Sequence, residues 1–265
     1  MNQPLLEFVK QTQIPFCIWL TEDPFYIDSS LKVIDGENII FTIDLGAFKF
    51  YQSLGYKNIY YLPLGTNPKI FQKKEPNESY KSDILFLGYP YPSRLELANF
   101  ILRNTDYQLT LVGKGWNNRI PKILRRSKQL SIIDEWVSPA VASLFYNNAK
   151  IVINQHREIN FLHNQNSLHV ESKSVNNRTF DISSCSAFQL IDYKEDLYNQ
   201  YSEDEIVHYN NPSECINKIN RFIYEDDLRR CIAQKARNRI IFQHTWESRV
   251  LSIIDIVKKY NTFSK

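Results

Sequence analysis

The sequence predicts an α/β fold, and two observations carry that prediction. Short β-branched or aromatic runs alternate with longer stretches of helical periodicity, which is the pattern of parallel α/β units. The longest apolar runs, such as Ile39 to Ile43 and Ile84 to Leu87, have the length of strands and fall far short of a membrane-crossing helix.

In chain order, Pro15 to Leu20, Ile39 to Ile43 and Asn58 to Leu62 read as strands, with Leu45 to Leu54 as a crossover helix ended by Gly55. Gln72 to Lys81 is polar, charged and broken by Pro76, and reads as a linker between lobes. A second α/β series follows. Ser82 to Leu87 is a strand entering Gly88, Arg94 to Arg103 a helix with Leu95, Ala98, Ile101 and Leu102 on one face, and Gln108 to Val112 the next strand. Further strands are expected at Lys150 to Asn154 and Phe188 to Ile191. The last third reads as helical. Asn211, Pro212 and Glu214 form a capping-box-like start, and buried stripes follow on three helices, the last through Val250, Ile253, Ile254 and Val257.

At 265 residues the chain has room for one large domain or two modest ones. Its start lacks a basic, apolar, small-residue leader, so the expected location is cytoplasmic, with no transmembrane segment. Cys17, Cys185, Cys215 and Cys231 have neither CxxC spacing nor a nearby His, and are expected to be reduced and mostly buried. The net charge is only +3, with Lys and Arg interspersed among acids, which speaks against nucleic acid as a partner.

Three segments have the residue types for anion binding. Gly88-Tyr-Pro-Tyr-Pro-Ser-Arg94 joins a strand to a helix, where α/β folds gather ligands, so Arg94 can meet a phosphate or be merely solvated. Leu111-Val-Gly-Lys-Gly-Trp116 offers backbone approach at Gly113 and charge at Lys114, or is a plain strand-to-loop turn. Asn176 to Asp192 reads as a capped helix start, a short helix, a small-residue turn and a strand. Its free amides and Arg178 suit a diphosphate, and Asp181 suits ribose hydroxyls; equally, Asn176 caps, Arg178 pairs with an acid and Asp181 is solvated. His156, His163 and His169 lack metal-ligand spacing, although His156 follows a strand and can reach a sugar or phosphate. No Asp-x-Asp metal motif is present.

In this order, Leu62-Pro-Leu-Gly-Thr-Asn-Pro-Lys-Ile-Phe71, Asp83 to Arg94, Asn177-Arg-Thr-Phe-Asp181 with Ile191-Asp192, and His244-Thr245-Trp246 resemble the CgeB-like family of spore-maturation glycosyltransferases. The resemblance covers most of the chain from Pro15 onward. It implies a GT-B architecture of two Rossmann-like lobes with a cleft between them: a shortened acceptor-side lobe (residues 1–75), a nucleotide-sugar lobe (residues 76–243) and a last helix (residues 244–265) crossing back. It also implies metal-independent sugar transfer from a UDP-, GDP- or dTDP-linked donor to a glycan, protein or small-molecule hydroxyl, with no separate cofactor. Gly88, Arg94, Gly113, Lys114, Trp116, His156, Asn177, Arg178, Asp181 and Ser186 would then bind the donor. Asp23, in Thr21-Glu-Asp-Pro24, is the one base candidate in the first lobe; an Asp-Pro pair also reads as a turn.

The sequence departs from the family pattern at Ser186, commonly glycine, and at Lys173, eight positions before Asp181, where related retaining transferases often carry an acid. The first lobe is also short, at about seventy residues. These departures leave two alternatives to an active transferase: a catalytically incomplete nucleotide-sugar-binding relative, or a structural protein of a spore or envelope layer.

Overall fold

The computed structural model of the chain describes residues 16–34 and 39–263. It is α/β with parallel sheets, and its contacts divide it into two compact units. The first comprises residues up to Leu64 together with Ile159–Ser174 and Trp246–Lys265; the second comprises Gly65–Glu158 and Val175–Thr245. The division therefore falls at Leu64 rather than residue 75. The stretch Ile159–Ser174, read from sequence as part of the second lobe, clusters with the first.

In the first unit, strands β1 (Cys17–Leu20), β2 (Ile39–Thr42) and β3 (Ile59–Tyr61) form a parallel sheet in that order, with helices α1 (Ile27–Ser30) and α2 (Leu45–Ser53) between them. Pro15, expected to open β1, lies outside the described residues. The alternation in β2 feeds two cores. Ile40 packs with Ile18, Ala47 and Tyr51, whereas Ile39 and Phe41 pack with Leu62 and with Ile253, Ile256 and Val257 of helix α10 (Trp246–Phe263). Asp44 caps α2 by accepting from the Gly46 and Ala47 amides at 2.7 and 3.2 Å. The same carboxylate accepts from Ser172 Oγ and from the Lys173 and Ser174 amides at 3.0, 3.1 and 3.1 Å, which ties the returning segment to this unit.

The second unit holds strands β4 (Ser82–Leu87), β5 (Leu109–Val112), β6 (Leu130–Ile133), β7 (Ala149–Asn154), β8 (Gln189–Asp192) and β9 (Val207–Tyr209). They pair in parallel in the order β6-β5-β4-β7-β8-β9. Helices α3 (Pro92–Asn104), α4 (Trp116–Arg119), α5 (Pro139–Asn148), α6 (Asn177–Ser184), α7 (Leu197–Gln200), α8 (Pro212–Phe222) and α9 (Asp226–Gln243) connect and cover them. The chain winds outward from β4 through β5 to β6, then returns to β7 and winds the other way. The carboxyl ends of β4 and β7 therefore form a topological switch point, where the connecting loops diverge and leave a crevice.

Most expected elements are present. β6 and β9 carry no clear sequence signal, because Leu130–Ile133 and Val207–Tyr209 are short strands with mostly half-buried residues, whereas α5 has a readable start in Ser138, which caps it, and Pro139 at its first position. Gln72 to Lys81 is held rather than free: the Lys74 and Asn77 amides donate to Asn147 Oδ1 and Asn148 Oδ1 at 2.7 and 2.6 Å, and a 3₁₀ turn forms at Glu78–Tyr80. The cysteines are free thiols; Cys185 and Cys215 are buried, Cys17 is half-buried and Cys231 is exposed. Among the described residues, no helix is long and apolar enough to cross a membrane.

Candidate functional site

At the switch point β4 ends in Gly88, whose φ of 131° is a conformation L side chains rarely adopt. A Cβ added there would stand 2.8 Å from Arg178 Nη2 and 3.0 Å from Arg94 Nη1, so two guanidinium groups converge on its backbone. Gly113, at the end of β5 with φ 139°, meets the same loop: a Cβ there would lie 2.4 Å from Gly88 O. Trp116 Nε1 donates to that carbonyl at 2.9 Å.

Arg94 is buried at 4% exposure. Its Nε donates to Gln155 O at 2.8 Å, its Nη1 to Tyr89 O at 3.0 Å, and its guanidinium lies over the Tyr91 ring. Burial first, and then the like charge of Arg178, push its pKa down to about 9. Arg178, in the first turn of α6, is half-buried and forms no ion pair among the described residues. The alternative in which it pairs with an acid is therefore not realised. Two guanidinium groups that converge here, neither ion-paired among the described residues, favour an anion although Asp181 and Asp192 lie nearby.

The amino end of α6 is fixed by a buried polar network. Asn176 caps the helix by accepting from the Thr179 amide at 3.2 Å, and its Nδ2 donates to Asn154 Oδ1 at 3.1 Å. Asn154, fully buried at the end of β7, donates in turn to Thr179 Oγ1 and Gln189 Oε1 at 2.9 and 3.0 Å. Asn177 is exposed in the first turn. One turn on, Asp181 accepts from Thr66 Oγ1 at 2.8 Å, and burial raises its carboxyl pKa to about 7. Thr66 is held by the His244-Thr245 segment: its amide donates to His244 O at 2.9 Å, and the His244 ring stacks on Phe180 of α6.

Four expectations change. His156 is buried with both ring nitrogens engaged, Nδ1 with Asp192 Oδ1 at 2.6 Å and Nε2 accepting from the Asn176 amide at 3.0 Å, so it orients α6 and has no nitrogen left for a ligand. Trp116 is fully buried in the hydrophobic core, and supports Gly88 from beneath. Ser186 sits at the opposite end of α6, before β8 and therefore at the amino edge of the sheet. There it lines a separate groove of about 1150 Å³ with Asn147 and Gln234. Asp23, in the first unit, is 1% exposed and accepts from Ser30 Oγ, Thr42 Oγ1 and Tyr51 Oη at 2.7, 2.8 and 3.1 Å, which makes it an internal anchor rather than an accessible base. Burial, opposed by those bonds, raises its pKa to about 6.

Lys114 is exposed beside Gly113. The amides of Gly115, Trp116 and Asn117 donate to the Asp134 carboxylate, the last two at 3.1 Å. Sequence reading gave no role to Thr66, Asn154, Asp134 or Asp192. Asn154 and Asp192, polar residues closing apolar strands, were the available signal.

Comparison with known proteins agrees with this geometry. Residues 94–255, more than half of the chain, match the family model described as glycosyl transferase-like. The chain belongs to this glycosyl transferase-like family. It is also similar to Spore protein CgeB of Bacillus subtilis (strain 168), 43% identical over 187 residues that make up 71% of this chain and 59% of that protein. The chain thus spans less than two thirds of that relative's length. Among solved structures, Anabaena Alr3699/HepE in complex with UDP and glucose matches with a TM-score of 0.70 at 10% identity, covering 95% of this chain and 73% of that one. Sucrose-phosphate synthase from Thermosynechococcus elongatus matches at 0.66 and 11% identity, covering 97% and 70%. At these identities the likeness is one of fold, and the fold is that of the GT-B glycosyltransferases.

Proposed function

We propose that the chain binds a nucleotide diphosphate sugar at the switch point of its second unit and transfers the sugar to a hydroxyl acceptor without a metal ion. The convergence of Arg94 and Arg178 on Gly88 carries this reading. A diphosphate there accepts paired, charge-assisted bonds from Arg178 and relieves the repulsion between the two guanidiniums. The Asn177 and Arg178 amides at the start of α6 add donors and the favourable end of its dipole. As the glycosidic bond breaks, charge grows on the departing diphosphate, and these fixed donors stabilise it where a metal serves in other transferases. Lys114, exposed beside Gly113, reaches the same anion. Asp181 keeps one carboxylate oxygen beyond its bond with Thr66 for a ribose hydroxyl. HepE was crystallised with UDP and glucose, so UDP-linked sugars are the first donors to test, ahead of GDP- and dTDP-linked ones. The setting we propose is cytoplasmic, in spore maturation, with a glycan, protein or small-molecule acceptor.

Calorimetry with UDP, GDP and dTDP, followed by a hydrolysis and transfer assay with the matching sugars, tests this. Absence of both binding and turnover across the panel rejects it. A second reading, a nucleotide-sugar-binding protein that lacks the transfer step, is favoured by the sequestration of Asp23 under three hydroxyls; it predicts binding without turnover.

A further inference from the structure

The stretch Lys114–Lys128 contains six cations, Lys114, Arg119, Lys122, Arg125, Arg126 and Lys128, and no Asp or Glu. The whole chain carries only +3, so the remainder is net negative and the positive excess is concentrated here. The dispersal of charge expected from composition fails in this stretch. It leaves β5, passes through α4 and a 3₁₀ turn at Leu124–Arg126, and enters β6, the edge strand of the large sheet. Lys122, Arg125, Arg126 and Lys128 are exposed, and among the described residues none of the four forms an ion pair. The next acid along the chain, Asp134, is taken up by the amides at the start of α4.

Ile123, in the midst of these cations, is 76% exposed. A large aliphatic side chain ringed by ammonium and guanidinium groups has the chemistry of an interfacial anchor: the cations meet headgroup phosphates while the apolar group enters the acyl boundary. Single-stranded nucleic acid is instead held by aromatic rings set among the cations for base stacking. From Asn117 to Lys128 there is no aromatic residue.

We propose that this basic edge docks the protein on an anionic membrane surface, with Lys122, Arg125, Arg126 and Lys128 on phospholipid headgroups and Ile123 inserted between them. The docking is independent of the sugar-transfer reading, since none of these five residues belongs to the Gly88 site.

The full chain is sedimented with vesicles of phosphatidylcholine alone and of phosphatidylcholine mixed with phosphatidylglycerol. Recovery with the mixed vesicles only, reversed by raised salt, is expected. Each cation at the surface contributes about fivefold, so Lys122→Gln/Arg125→Gln/Arg126→Gln is expected to weaken partitioning about a hundredfold. Arg125→Lys/Arg126→Lys should keep it. Lys128→Gln, on an exposed side chain, should weaken it about fivefold and serves if the triple variant does not fold. Equal recovery with both vesicle types, recovery with neither, or undiminished recovery of the folded variants overturns the proposal. Retention on heparin or RNA without recovery on anionic vesicles overturns it as well, and assigns the patch to a polyanion.

Discussion

His156 Nδ1 lies 2.6 Å from Asp192 Oδ1, and the same Asp192 oxygen accepts from the His156 amide at 2.8 Å. Burial lowers the His156 pKa, so the ring is neutral, carries its proton on Nδ1 and leaves Nε2 to accept from the Asn176 amide. Burial alone would raise Asp192, but the hydrogen bonds from the His156 ring and amide, with the charge of Lys194 nearby, outweigh it and hold the carboxylate low. The end of β8 thereby sets the position of the α6 start, and with it the direction in which Arg178 points.

Replacing His156 should accordingly affect both stability and ligand binding. His156→Ala leaves the Asn176 amide without its acceptor and strips Asp192 of the ring contact, with only the backbone amide bond remaining, a loss of about 2–4 kcal/mol in urea unfolding. The pH dependence has a definite sign. The folded state holds this histidine below its unfolded pKa of about 6.5, so its contribution is present above that pH and fades as pH falls through it. The stability difference between the parent and His156→Gln should shrink from pH 7.5 to about pH 5.5; a constant difference would refute a neutral His156.

Arg178 and Arg94 should separate binding from folding. Arg178 forms no ion pair among the described residues and burdens Arg94 with like charge, so Arg178→Ala should leave the melting temperature unchanged or slightly higher. The same variant should weaken UDP binding by about 1.5–3 kcal/mol, the usual range for a hydrogen bond to a charged group, as read by calorimetry. Arg94→Ala removes the bonds to Gln155 O and Tyr89 O as well, and should lower the melting temperature along with affinity. Equal melting losses in the two variants would contradict the division of roles.

What was legible in the sequence follows from range. The cap at Asn176, the turn glycines and the strand-helix alternation are local chemistry, and they could be read without a partner. Which side chain Arg178 would meet depended on the β4-to-β7 switch, a long-range pairing that no spacing encodes. His156 illustrates the limit: a histidine after a strand is open to a ligand until its neighbours at Asp192 and Asn176 are known. Asp23 shows the same, since its three hydroxyl donors come from residues up to 28 positions away.

Asp181 should make the protein less stable as pH rises toward neutrality. Burial raises its folded pKa to about 7, far above the unfolded value, so its contribution is complete below the unfolded pKa and is lost as pH rises through about 7. Asp181→Asn should remove that loss, and its advantage over the parent should grow by about 1–3 kcal/mol between pH 5.5 and pH 8.5 in urea unfolding. Asp23, raised to about 6, acts with the same sign and remains in both proteins, so the difference isolates Asp181.

Ser186 stands where the left-handed conformation favours glycine, and substitution there should stabilise. Its φ is 56°, the Ala187 amide donates to Ile182 O at 3.2 Å, and its own amide donates to Ser183 O at 2.9 Å, which together close α6 in a Schellman motif. Ser186→Gly removes the left-handed strain at the cost of its Oγ contact with Gln234 at 3.3 Å, for a net gain of about 0.5–1 kcal/mol. Because the residue lies at the amino edge of the sheet, nucleotide affinity should not change. Gly113→Ala is the converse. It forces a side chain onto φ 139° and within 2.4 Å of Gly88 O, so the Gly88 backbone on which both guanidiniums converge must shift. Thermal unfolding with and without UDP should show Ser186→Gly melting higher with the same ligand shift, and Gly113→Ala melting lower with the shift largely lost. A reduced ligand shift in Ser186→Gly would place the helix end back in the binding site.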